Sequence, residues 1–228
     1  MVSNSLCLIF IGIFFTACST AHFKIYDPLT YRKGIVTQTD VQGVKSTNAE
    51  KIRVVIKKSY DIRPDIVSKN LRPGSTRIGG FINIFGQVVH SFELEKGVVF
   101  VDLFTDNLIR CFELAGYEAV PHEKYEANST IDKEKFKGLI ESQIITFWVG
   151  VLPGMYQIDA PSNVTFKVGL YELETNQEIW GEMITGRSHV FPLTVASYEK
   201  GINLAYADAM KNLYKAISDE KFRNFLQK

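Results

Sequence analysis

Apolar residues recur at three- and four-residue intervals between Val98 and Tyr117. Val101, Phe104, Leu108, Cys111, Phe112 and Ala115 form one stripe, while Asp102, Asp106, Arg110 and Glu113 fall on other faces. That period predicts an amphipathic helix with one buried side. Gly116 stands where a helix C-terminus favours a residue free to take positive φ. A second stripe runs from Leu193 to Ile217 through Tyr198, Ile202, Ala205, Ala209, Leu213 and Ala216, broadened by Tyr206 and Met210. Thr194 is placed to cap its start, and Ser218 to cap a short closing helix over Asp219 to Leu226.

Elsewhere the period shortens to two or gives way to compact apolar runs. Ile52 to Lys57 reads as a strand that runs on to Asp61, and Pro64 ends it. Ile78 to Gln87 and Val88 to Glu95 read as two further β-segments, and Tyr117 to Val120 as a short one. Leu139 to Leu152, Val164 to Leu173 and Glu178 to His189 read as a meander of long antiparallel strands. Its breaks fall at Pro153-Gly154 and at Glu174 to Gln177. Val164, Phe166, Val168, Leu170 and Glu172 alternate and so share one face. Two long helices, each with a single apolar stripe, must cover a sheet. The expected fold is α+β, a mostly antiparallel sheet with two long amphipathic helices on one face.

The first residues follow neither pattern. Leu6 to Phe15 is an uninterrupted apolar run, and Thr16-Ala17-Cys18 follows it. The run is too short to cross a bilayer, which takes about 20 apolar residues. It has the length of a secretory signal followed by small residues. Ending at a cysteine, it reads as a bacterial lipoprotein signal with Cys18 as the acylated first residue of the mature chain. Ordinary cleavage after Ala21 is the alternative. The n-region carries no Lys or Arg, and Phe15 stands where such signals usually place Leu. Ser19, in place of an inner-membrane retention Asp, points to the outer membrane, by resemblance to sorted lipoproteins. The expected organisation is a signal over 1–17, a lipidated tether over 18–50 with an edge strand near Gly34 to Thr39, and a single domain over 51–228. A flexible tether of that length would hold the domain some ~30 Å from the bilayer.

Composition adds exclusions. The formal net charge is +1 with 26 basic and 25 acidic residues, and no basic stripe is visible, so no nucleic-acid partner is expected. Removal of the signal takes Cys7 and acylation takes Cys18, which leaves Cys111 without a disulfide partner. Cys111 lies on the first apolar stripe and reads as a core residue. His22, His90, His122 and His189 are scattered, no metal-ligand spacing occurs, and no cofactor is expected. The glycines of Ile78 to Gln87 do not form a phosphate loop, because bulky apolar residues lie between them and no Gly-Lys-Ser/Thr ending follows.

Two places carry candidate surfaces. A hairpin tip over 148–156 would bring Trp148, Leu152, Met155 and Tyr156 to a turn, suited to a partner groove or a lipid surface. Alternatively Trp148 packs inward and only the Pro-Gly turn is exposed, as the usual burial of large aromatics favours. Asp61 and Arg63, beside the Gly79–Gly86 segment, form either part of a working surface or an internal ion pair that fixes the strand end.

With these pieces in order, the chain resembles the YajG-like family of uncharacterised bacterial lipoproteins. The resemblance rests on the lipobox at Cys18 and on Asp61-x-Arg63. It rests further on Ile78-Gly79 with Asn83, Phe85 and Gly86, and on a helix closing in Glu113-Leu-Ala-Gly-Tyr117. It implies an envelope lipoprotein with an α+β domain and brings no catalytic residues. No G-x-S-x-G or H-E-x-x-H occurs, and neighbouring Ser188 and His189 would point to opposite faces of a strand. The expected function is a non-enzymatic binding or assembly module, attached to the membrane through Cys18 and engaging an envelope protein. The alternatives are a ligand-binding module for cell-wall glycan or lipid, and an envelope hydrolase.

Overall fold

The computed structural model describes residues 20–31, 51–63, 76–82, 88–122, 135–153, 158–190 and 194–227. Among them are nine strands in one sheet and three helices. In chain order they are β1 (Ala21–Phe23), β2 (Arg53–Ile56), β3 (Tyr60–Asp61), β4 (Arg77–Ile82) and β5 (Val88–Leu94). Then come α1 (Phe100–Leu114), β6 (Glu118–Pro121), β7 (Gly138–Pro153), β8 (Ile158–Tyr171), β9 (Glu178–Val190), α2 (Val195–Ser218) and α3 (Glu220–Leu226).

The sheet is organised around β7. One edge of this 16-residue strand pairs antiparallel with β8, and β8 pairs antiparallel with β9. Along its other edge β2, β3 and β4 lie end to end, all parallel to it. β6 extends the sheet beyond β2 in parallel, β5 pairs antiparallel with β4, and β1 pairs parallel with β5. The sheet is mostly antiparallel by ladder length, as expected, and β7–β9 form the expected antiparallel meander; the parallel pairs, which the sequence did not indicate, lie outside it. Apolar periodicity reports which face of a strand is buried and is silent about chain direction. The crossover through α1 makes β2 and β6 parallel, as a helical connection does within one sheet.

The two long helices pack against the same face of the sheet, and the short α3 follows α2. Phe104 of α1 meets Phe166 of β8 edge-on at 4.9 Å, and Tyr206 of α2 meets Phe147 of β7 at 5.3 Å. Val164, Phe166, Val168 and Leu170 are all fully buried on that face. In β7 the buried set is Ile140, Ser142 and Ile144, then Phe147 and Val149. A register shift between Ile144 and Thr146 accounts for the three-residue step. The extra residue of a bulge re-phases the alternation, so Phe147 faces the helices and Trp148 faces away.

α1 closes in a Schellman turn. Gly116 has φ +95°, its N–H donates to Glu113 O at 3.0 Å, and Tyr117 N–H donates to Phe112 O at 3.1 Å. At the other helix boundaries the expected caps differ. The Thr194 side chain makes no cap bond to a backbone N–H of α2. Asp219, one residue after Ser218, caps α3 by accepting from Lys221 N–H at 2.8 Å. A carboxylate at the start of α3 also meets the positive end of the helix dipole. α2 lies close on β9 because both surfaces are small where they meet. A Cβ built on Gly186 would stand 2.7 Å from Ala209 Cα and closer still to the Ala205 carbonyl.

The expected tether is folded over its first part. Residues 21–23 form β1, and Phe23 and Leu29 are buried in the main core. Short, mixed sequence hides a three-residue strand from any periodicity test. The expected strand near Gly34 to Thr39 lies outside the described residues.

Candidate functional site

The Asp61-x-Arg63 pair is internal. Arg63 Nε donates to Asp61 Oδ1 at 2.9 Å and Nη2 to Oδ2 at 2.8 Å, a bidentate pair with side chains 5% and 0% exposed. Nη1 donates to the Arg77 carbonyl at 2.8 Å, and the guanidinium lies 4.7 Å from the Phe100 ring centre. Arg63 therefore ties the end of β3 to the start of β4 and to the first turn of α1. Planar forks and aromatic faces suit arginine in a way a lysine would not reproduce. This is the ion pair that fixes a strand end, not a working surface.

Next to it lies a buried hydroxyl cluster with no signature in the sequence. Ser59 and Ser142 hydroxyls are 2.6 Å apart, and Thr105 Oγ1 donates to Val101 O at 2.7 Å. Thr105 Oγ1 also accepts from Ser59 N–H at 3.1 Å. The cluster satisfies the backbone where the chain breaks between β2 and β3. Gly79 is where β4 approaches β7, since a Cβ there would stand 2.7 Å from Val149 Cγ1. Asn83, Phe85 and Gly86 lie outside the described residues.

The hairpin-tip candidates divide. Trp148 is half-buried on the sheet face opposite the helices, with the Arg77 guanidinium 5.8 Å from its ring centre. The backbone of Leu152 continues β7 opposite Asp159. Met155 and Tyr156 lie outside the described residues, as does Cys18. Cys111 is fully buried against the Met210 carbonyl, and burial raises its thiol above the ordinary range, as a core residue requires. Ser188 donates to the Gly201 carbonyl at 2.6 Å. His189 is exposed beside a depression of about 520 Å³ whose lining, Pro161, Ser162, Asn163, Arg187, Ser188 and His189, includes no carboxylate. Among the described residues no three His, Cys, Asp or Glu side chains converge as metal ligands.

The part of the site that sequence reasoning missed is the clamp on residues 24–27. Asn203 of α2 is 1% exposed and makes three hydrogen bonds of 2.8 Å. It donates to the Lys24 and Glu199 carbonyls and accepts from Tyr26 N–H. Glu199 accepts from Lys24 N–H at 3.1 Å, and Arg110 pairs with Asp27 at 2.9 Å. An Asn between Ile202 and Ala205, inside an apolar stripe, is the signal that a buried backbone partner must exist. Two helices thus hold the segment that begins six residues after Cys18.

Among solved structures, one shares this fold and others show a weaker likeness. A Xanthomonas campestris protein of the DUF330 family matches with a TM-score of 0.53 at 12% identity, over 90% of this chain and 96% of that one. The likeness is one of fold. A neuraminyllactose-binding hemagglutinin homolog from Helicobacter pylori matches at 0.47 and 13% identity, over 81% and 96%. Lipoprotein GNA1162 from Neisseria meningitidis matches at 0.35 and 10%, over 76% and 99%. No family model and no curated protein matches the chain. The resemblance to YajG-like lipoproteins therefore rests on the residues that suggested it.

Proposed function

We propose that the protein is an envelope lipoprotein, acylated at Cys18 and held at the periplasmic face of the outer membrane. Its folded domain acts there as a non-enzymatic binding or assembly module. The observation that carries this reading is the position of β1. The sheet takes up the chain at Ala21, three residues after the cysteine that closes the apolar leader. Removal of the leader at Cys18 leaves the sheet whole, whereas cleavage after Ala21 would start the mature chain inside β1. None of the helices among the described residues is long and apolar enough to cross a membrane, so attachment through acyl chains supplies what those helices do not. A binding role is supported by the way the polar groups of the interior are committed to one another, Asp61 to Arg63 and Ser59 to Ser142 and Thr105.

The test combines two measurements. Metabolic labelling with a fatty acid should mark the wild-type chain and not Cys18→Ala; labelling of the variant overturns the anchor. A photo-crosslinking residue at position 148, on the face away from the helices, should capture a discrete envelope protein in intact cells. Recovery of glycan or lipid alone would favour the ligand-binding alternative instead.

A further inference from the structure

Basic and acidic residues nearly balance over the whole chain, 26 against 25, yet four basic ones converge where β2 and β7 begin. Lys51, Arg53, Lys135 and Lys137 line a depression of about 400 Å³ there. Among the described residues of its wall there is no Asp or Glu. The sheet register produces this convergence. β2 and β7 run parallel with Val54 opposite Gly138, so Arg53 and Lys137, one residue earlier on each chain, stand side by side. Lys137 N–H donates to the Arg53 carbonyl at 2.9 Å. Lys51 and Lys135 lie two residues further back on the same two chains. Neighbouring strands are about 4.8 Å apart, and like charges placed opposite one another on a sheet repel.

Arg53 is held in place within this group. Its Nη2 donates to Glu118 Oε1 at 2.6 Å, and its guanidinium lies 5.1 Å from the Phe136 ring centre. Glu118 offsets one of the four positive charges. The Nε of Arg53 is enclosed and has no hydrogen-bond partner among the described residues. An enclosed donor without an acceptor is costly, and an oxyanion is the acceptor that a guanidinium matches best. Lys51, Lys135 and Lys137 are exposed, and each carries three donors on a flexible stem. Ile52 and Leu226 add an apolar wall. A volume of about 400 Å³ is that of a small-ligand cleft, with room for an oxyanion and the carbon body that carries it.

We propose that this depression is a binding site for a phosphate-bearing anion. Phosphoryl oxygens meet the basic side chains, and the carbon body lies against Ile52 and Leu226. Positive charge this concentrated calls for an anion of more than one negative charge. A phosphomonoester or a diphosphate supplies it, whereas a lone carboxylate offsets a single cation. The same group occurs on lipid headgroups and on soluble phosphate esters, and the chemistry of the site is common to both. The proposal rests on the binding reading and gives it a ligand class. It does not depend on the acylation of Cys18.

The test is calorimetric titration of the full mature chain, purified from cell envelopes in a neutral detergent. The probes are inorganic pyrophosphate and, separately, the short-chain lipid dihexanoyl phosphatidic acid, with dihexanoyl phosphatidylcholine as the control. The triple variant Lys51→Ala, Lys135→Ala, Lys137→Ala removes three exposed side chains and leaves the pair of Arg53 and Glu118 in place. Circular dichroism checks its fold, and the single exposed change Lys137→Glu serves as a second variant. Saturable binding of pyrophosphate or phosphatidic acid is expected, with no response to phosphatidylcholine. The triple variant should bind about tenfold more weakly or worse, the loss of a charge-assisted hydrogen bond, and Lys137→Glu should weaken binding too. Tighter binding of the lipid identifies a headgroup as the source, and tighter binding of pyrophosphate a soluble ester; both support the site. Equal affinity in wild type and variants, or no saturation by either probe at millimolar concentration, overturns it. Such a failure leaves an envelope protein captured at position 148, and the anchor, standing.

Discussion

Replacing Asn203 with alanine should free the segment that follows Cys18 from the body of the domain. The substitution removes one acceptor and two donor bonds, all of 2.8 Å. The Glu199 carbonyl is within α2 and retains its helical environment. The Lys24 carbonyl and Tyr26 N–H lose their partners outright. Each buried group left unsatisfied costs about 1–3 kcal/mol. Tyr26 is 40% exposed, so water reaches this region and the lower figure applies. Two such groups give about 2 kcal/mol, or roughly thirtyfold in a local opening equilibrium. Phe23 and Leu29 stay buried, so the loss should appear as local opening before global unfolding. Hydrogen exchange followed by mass spectrometry reads it directly. Peptides covering 22–29 should exchange about thirtyfold faster in Asn203→Ala, while peptides from β7 and β8 are unchanged. Asn203→Asp keeps the acceptor for Tyr26 N–H and should fall between the two. Unchanged exchange over 22–29 in Asn203→Ala would refute the view that α2 holds this segment.

Three further outcomes follow from the packing. Gly186→Ala should lower the melting temperature sharply, because the added methyl meets the backbone of α2 at Ala205 and Ala209; overpacking of this kind costs about 1–3 kcal/mol. Arg63→Met should cost about 3–5 kcal/mol in chemical denaturation by stranding the buried Asp61 carboxylate, and adding Asp61→Leu should recover part of that loss. Alkaline titration should destabilise the protein from pH 10 upward. Burial raises Tyr206, and burial with the Glu178 hydrogen bond raises Tyr171 to about 12. Both phenols stay neutral in the folded chain while their unfolded counterparts ionise near pH 10. Their contribution is complete below pH 10 and, for Tyr171, is lost as pH rises through about 12. Tyr171→Phe should flatten that fall.

The helices were legible because their stripes are long and their punctuation is chemical. Gly116 marks the end of α1 in the sequence as it does in the fold. The alternation of Val164, Phe166, Val168 and Leu170 marks the face of β8 that the structure buries, whereas Glu172, expected on the same face, lies past the end of β8 and is exposed. Strand direction was legible in the β7–β9 meander, whose short turns fix it, but not in the strands before it, because a buried Val54 looks the same in a parallel and in an antiparallel pair. The face of Trp148 was not legible either, since one extra residue near Thr146 inverts it without altering the apolar count. Ser218 and Asp219 are adjacent, and only backbone geometry selects which of them caps α3. The ion pair of Asp61 and Arg63 had the spacing of a local contact, but its reach to Arg77 and Phe100 depends on tertiary packing. The clamp through Asn203 joins positions some 180 residues apart in sequence, beyond any local pattern.

The central claim is that Cys18 is the first residue of the mature chain and carries acyl groups that hold β1 at the membrane. Intact-mass and N-terminal peptide analysis of the protein purified from cell envelopes tests it most directly. The account predicts an N-terminal peptide that begins at Cys18 and carries the added mass of acyl chains on that residue. An unmodified N-terminus at His22 would contradict it.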